Sequence, residues 1–190
     1  MMKTKIVLAV LAAFFSINAS AQSQQVNIEK TTVKWTGTKV IGSAHDGFIK
    51  LKEGHLDVKK GDIKGGKFVM DMNSMTNTDL DSEEYKQKLV VHLKSDDFFG
   101  VATYPTAILE IKEASAFINN KASVKGHLTV KGQTKAIVFD VEKRDKAYVA
   151  SIVVDRTLYG IRYGSGSFFD DLGDKAISND FTLDVKLVLE

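Results

Sequence analysis

From residue 181 to residue 189 the chain alternates without a break. Phe181, Leu183, Val185, Leu187 and Leu189 fall on one side, and Thr182, Asp184 and Lys186 on the other. A period of two belongs to a strand with one buried and one wetted face. Such a strand is stable only beside others that bury the same face. The chain supplies them at 31–39, 47–52, 55–58, 67–74, 106–112, 122–130, 136–142 and 146–154. Val33 lies with Trp35, Ile49 with Leu51, Leu56 with Val58, and Phe68 with Met70 and Met72. Leu109 lies with Ile111, Val124 with Leu128 and Val130, and Ile137 with Phe139 and Val141, while 146–154 is apolar on both faces. Turn signals stand at 59–62, 65–66, 119–121 and 132–133. Counting 47–52 and 55–58 as one interrupted strand gives about eight. That spacing predicts an all-β antiparallel sandwich or barrel, and a closed barrel of about eight strands leaves an interior for one small ligand.

One stretch breaks the pattern. Within 80–105, Tyr85, Leu89, His92 and Leu93 share a helical face, and Asp81 with Glu84 has the spacing of a capping box. Phe98 and Phe99 follow Asp96 and Asp97, and Pro105, the only proline, forces an extended exit. The expectation is a helical insert capping one end of the barrel, with the two phenylalanines as an apolar plug beneath it.

The start of the chain predicts the compartment. A short basic stretch precedes an apolar run at 6–17, and Ala19-x-Ala21 offers a small-residue cleavage site. This reads as a signal peptide over 1–21, cut after Ala21, leaving a single domain at 22–190. The mature protein is then periplasmic or secreted, with no later segment apolar enough for an integral membrane span. There is no cysteine, so neither a lipoprotein anchor nor a disulfide is available and the core alone must hold the fold. The formal charge of +2 is carried by Lys3 and Lys5. The remainder is neutral, with the two signs interspersed and no basic stripe, which argues against nucleic acid as a partner.

Four motifs in order carry a resemblance. LVVHLKSDDFF (89–99) closing on Tyr104 and Pro105, GHLTVKGQTK (126–135), DRTLYGI (155–161), and Ser74 to Thr76 followed by Asp79 and Leu80 together resemble the YceI-like family over nearly all of 26–190. The resemblance implies a lipocalin-like barrel that is exported, holds a polyisoprenoid or similar long-chain lipid in its bore, and is not a catalyst. One region departs from the family pattern. Many members open with a His-Ser pair before an apolar strand, whereas here the matching place holds His45 between Gly42 and Gly47.

On this reading the apolar bore is lined by Trp35, Phe68, Met70, Met72, Leu89, Leu93, Phe98, Phe99, Phe139, Phe168 and Phe169. His45, Arg156 and Arg162, with Lys39, are the candidate head-group contacts. Leu183 is expected in packed core. The expected partner is a long-chain isoprenoid, an isoprenoid quinone or another lipid, held by a monomer or a homodimer. No catalytic residue, metal ligand or cofactor motif is assigned. His45, His55, His92 and His127 form no HxH or HxxxH pair, and Asp170, Asp171 and Asp174 lack the spacing of an EF-hand loop. Gly164 to Ser167 lacks the lysine of a phosphate loop. The competing readings are a fatty acid or amide carrier, a filled barrel that binds protein, and an enzyme acting on a lipid.

Overall fold

The computed structural model describes residues 21–190, so the expected signal peptide lies outside the described residues except for Ala21. Nine strands and one α-helix follow: β1 (Gln22–Gln25), β2 (Thr32–Lys39), β3 (Ala44–Lys59), β4 (Asp62–Asp71), α1 (Glu83–Lys94), β5 (Thr106–Ala114), β6 (Lys121–Val130), β7 (Gln133–Arg144), β8 (Ala147–Asp155) and β9 (Ile177–Val188). All pairings are antiparallel. The order β2-β9-β8-β7-β6-β5-β4-β3 returns to β2, so eight strands close a barrel. β1 continues the line of β2: residues 22–25 pair with 55–58 of β3, and 33–38 with 44–49. The expected lipocalin-like barrel of about eight strands with one helix over an end is therefore the fold.

Alternation fills the interior. Along β6 every second residue, from Ala122 through Val124, Gly126 and Leu128 to Val130, is buried. Each large apolar side chain so buried is worth about 1.5–3 kcal/mol. Three hairpins close with both central residues at positive φ: Lys60 and Gly61, Asn119 and Asn120, Lys131 and Gly132. These are tight turns whose twist matches the strands. The turn expected at 65–66 is absent. Gly65 and Gly66 lie inside β4, opposite Asp57 and Leu56, and a Cβ on Gly66 would come within 2.8 Å of the His55 carbonyl. These glycines permit close strand approach. One seam is thin: β7 and β8 pair only through 142–144 and 147–149.

β4 ends at Asp71, opposite Lys50, and would leave the first half of β3 as a bare edge. A strap of irregular chain finishes it. The amides of Lys50, Phe48 and Asp46 donate to Ser74 Oγ (2.8 Å), Thr76 Oγ1 (3.2 Å) and Asp79 Oδ1 (2.9 Å). In return the Thr76 and Thr78 amides donate to the Phe48 and Asp46 carbonyls. The strap passes so close that a Cβ on Gly47 would overlap the Thr76 carbonyl. That carbonyl also accepts from Trp35 Nε1 at 3.0 Å. Gly47→Ala is therefore expected to cost about 1–3 kcal/mol, as overpacking does, read from urea denaturation. Gly37→Ala, with no atom within 4 Å of its new Cβ, should stay within about 0.5 kcal/mol of the parent. Equal stability of the two variants would contradict this account of the strap.

Candidate ligand-binding site

α1 starts at Glu83 with Ser82 at the N-cap and no side-chain cap bond, so the capping box expected from Asp81 and Glu84 does not form. Asp81 stands one residue too early. Glu83 and Glu84 instead place negative charge in the first turn, where the exposed amides favour it. No residue of α1 is fully buried. Leu89 and Leu93 are half-buried against the core, and Phe98 is buried just beyond. His92, Phe98 and Tyr163 pack ring to ring, with centroids 4.7–5.3 Å apart. This tethers the end of α1 to the loop after β8.

Beneath α1 lies a cavity of 370 Å³. Met70, Met72 and Met75 form part of its wall, with Trp35, Ile49 and Phe181 from the barrel and Leu89, Leu93, Phe98 and Phe99 from the cap. A second, narrower space of 80 Å³ lies deeper, walled by Phe68, Phe139, Ile137, Val141, Tyr148 and their neighbours. Met70, Leu128 and Leu183 line both, so they stand at the junction.

Polar groups reach the upper chamber from its rim. His45 Nδ1 lies 2.8 Å from Asp79 Oδ2. Burial works to raise the Asp79 carboxyl, but the Asp46 amide, His45 and Asn77 hold it below its ordinary value. Arg156 is only 4% exposed. Its guanidinium donates to three carbonyls: Nε to Ser178 (2.9 Å), and its two terminal nitrogens to Ile161 (2.9 Å) and Ile177 (3.1 Å). Burial pushes its pKa down, and Asp155 alongside opposes that shift. The Asp155 carboxylate itself is spent on the amide and hydroxyl of Thr157. Lys39, Lys175 and Asp180 complete the charged part of the wall.

The structure thus brings Trp35, Met70, Met72, Leu89, Leu93, Phe98 and Phe99 to the upper chamber, with His45 and Arg156 beside them. Met72 arrives from a 3-10 turn, Met72–Ser74, after the strand has ended. Phe68 and Phe139 line only the narrow space. Three expectations are corrected. Phe168 and Phe169 are 45% and 51% exposed and line neither chamber. Arg162 stacks over Phe168, 4.6 Å from its ring centre, instead of facing the bore. The cause is Ser165: its hydroxyl is buried against Asn179 (2.7 Å) and its carbonyl takes the Phe168 and Phe169 amides, which turns both rings outward. Leu183, expected in solid core, faces the bore. Met75, Tyr163 and Lys175 were not singled out from the sequence. Met75 and Tyr163 sit in loops and Lys175 ends a short 3-10 turn, where strand parity gives no direction.

Comparison with known proteins agrees with this architecture. Residues 24–189 match the YceI-like domain. The chain belongs to the YceI-like family. Among solved structures, Burkholderia cenocepacia BcnA superposes with a TM-score of 0.67 at 18% identity, over 86% of this chain and 98% of that one. A polyisoprenoid-binding domain from Saccharophagus degradans, implicated in plant cell wall breakdown, gives 0.62 at 15% identity over 87% and 97%. The Campylobacter jejuni YceI protein gives 0.56 at 20% identity over 81% and 84%. No curated protein sequence matches. At these identities the likeness to solved structures establishes the fold of the YceI-like barrel.

The Asp79 carboxyl, held down chiefly by the Asp46 amide, carries a pH signature. A carboxyl held below its ordinary pKa, about 3.9, stabilises the fold above that pH and loses this contribution as pH falls through its folded value. Asp79→Asn should therefore lower the urea midpoint at pH 7 and flatten its fall between about pH 5 and pH 3. An acid limb as steep as the parent's would remove Asp79 from that role.

Proposed function

We propose that this YceI-like chain is an exported binding protein that holds a long-chain apolar lipid, a polyisoprenoid or isoprenoid quinone, inside its barrel. The observation that carries the reading is the upper chamber. Its 370 Å³ falls within the roughly 300–1,000 Å³ of ligand pockets, and most of its wall is apolar, with the charged groups at the rim. Transfer of a hydrocarbon chain into such a wall is worth about 0.8 kcal/mol per CH₂, so a prenyl tail binds without strong polar contacts. Three methionines, flexible and polarisable, suit a tail of irregular outline. The Saccharophagus degradans relative described as polyisoprenoid-binding supports the same ligand class. Binding is favoured over catalysis because the polar groups at the rim hold structure: His45 is engaged by Asp79, and Arg156 by three carbonyls. The residues at 1–21 support export to the periplasm or the medium, in which case the mature protein begins at Gln22. An intact Met1 on protein recovered from its native host would contradict export.

Carriage is tested by organic extraction of the purified protein with mass spectrometry, and by uptake of a fluorescent prenyl lipid. Recovery of no stoichiometric lipid together with no uptake would refute it. Met70 stands at the junction of the chambers, so Met70→Arg should abolish uptake, since a guanidinium is poorly solvated beside hydrocarbon. The variant should lose some stability yet stay folded, because its side chain enters the cavity instead of solid core. Val124→Arg is the control: Val124 is fully buried and lines neither chamber, so this change should unfold the protein. A folded Met70→Arg that takes up lipid at the parent level would exclude Met70 from the site.

A further inference from the structure

The barrel wall has one slot. The β7–β8 ladder runs from Arg144 opposite Ala147 to Glu142 opposite Val149, and among the described residues it stops there. The same register would set Phe139 against Ile152 and Val138 against Val153. Those pairs do not form, although β7 stays paired with β6 from Gln133 to Glu142 and β8 with β9 throughout. The other end is closed where Gln133, at the start of β7, lies against Gly160 beyond β8. The slot thus has two continuous rims and two fixed ends.

The slot meets the interior. Phe139 and Val141 on one rim and Ala150 and Ile152 on the other border the narrow space. Val149 borders it too, although its ladder partners Glu142 and Lys186 belong to the outward face, so the space reaches between the strands. Outside, Val138 and Val153 flank the slot and are 63% and 61% exposed. Midway along it, both rims are therefore apolar from the interior to the surface.

The cap is held more firmly. Besides the stacked rings of His92, Phe98 and Tyr163, Lys94 donates from Nζ to the Asn73 carbonyl at 2.7 Å. Lys131, in the β6–β7 turn, donates to the Asp96 carbonyl at 2.6 Å. Lifting the cap breaks these contacts together, whereas parting β7 from β8 along the slot breaks no ladder bond. The parts of a fold that open for a ligand are drawn from its least stable contacts.

We propose that the slot between β7 and β8 is the door through which an apolar ligand enters and leaves the barrel, while the cap stays latched. The inference rests on lipid carriage as proposed above and adds the route.

The chain has no cysteine, so Val138→Cys with Val153→Cys places a unique thiol pair across the slot. Both positions are exposed and line neither chamber, so the fold and the binding site stay intact. A short, reducible bis-thiosulfonate linker joins the pair, and stopped-flow fluorescence follows uptake and release of a fluorescent prenyl lipid. Bridging should slow both by about tenfold or more, and reduction should restore the parent rates. Each single-cysteine variant carrying the same reagent should exchange as the parent does. Lys94→Cys with Asn73→Cys, bridged likewise, pins the end of α1 to the turn before the strap and should leave exchange near the parent rate. Unchanged exchange with the slot bridged, or equal slowing with the cap bridged, would overturn the door and leave carriage standing. No uptake of the probe by the parent protein would overturn both.

Discussion

The barrel depends on how the first half of β3 is finished. β4 runs out opposite Lys50, and without a further partner the amides of Asp46, Phe48 and Lys50 would face outward as an open edge. Three side-chain oxygens, from Ser74, Thr76 and Asp79, replace the missing strand. Open edges invite pairing with other chains, and here local polar side chains close the edge. The same strap sets the rim of the cavity, because Asp79 orients His45 and Thr76 holds the Trp35 ring. Barrel closure and the shape of the binding chamber therefore share one set of contacts.

Much of the barrel was legible because burial on one face leaves a period-two trace. Residues 122–130 and 181–189 read directly as strands, and the helix was found from Leu89, His92 and Leu93. The misreadings fall where period and direction separate. Gly65 and Gly66 resemble a turn in sequence, but their small size serves close strand approach inside β4. The Phe-Phe pairs at 98–99 and 168–169 look alike, yet one is held over the cavity and the other turned outward by a single buried serine. Strand parity placed Leu183 inside correctly. It could not tell solid core from the wall of a cavity, because both demand the same apolar residue. The same holds for Phe68 and Phe139, which lie on the inward face but against the narrow space.

The chamber combines two kinds of lining with different sequence footprints. The apolar chamber is built from residue types found in any core, so its volume emerges only when all the strands are assembled. The charged part of the wall draws on residues far apart in the chain, Lys39, Arg156 and Lys175, joined by backbone hydrogen bonds around 176–178. Arg156 was visible as a candidate because it sits in a recognisable motif. Lys175 carries no local signal and joins the group only through the contact between Val40 and Ala176.

The thin seam between β7 and β8 bears on how this container accommodates its contents. Elsewhere in the wall, neighbouring strands are laced over longer stretches: β6 and β7 share ten residue pairs, whereas β7 and β8 share three. Widening a barrel means stretching or breaking ladder bonds, and along this line there are few to break. Ile137, Phe139 and Val141 on one side and Tyr148, Val149 and Ala150 on the other border the narrow space. The ladder is thus continuous around most of the circumference and thin along a single line. Under the proposed lipid carriage, a tail longer than the upper chamber would meet the fewest ladder bonds along this line, away from the strap and the cap.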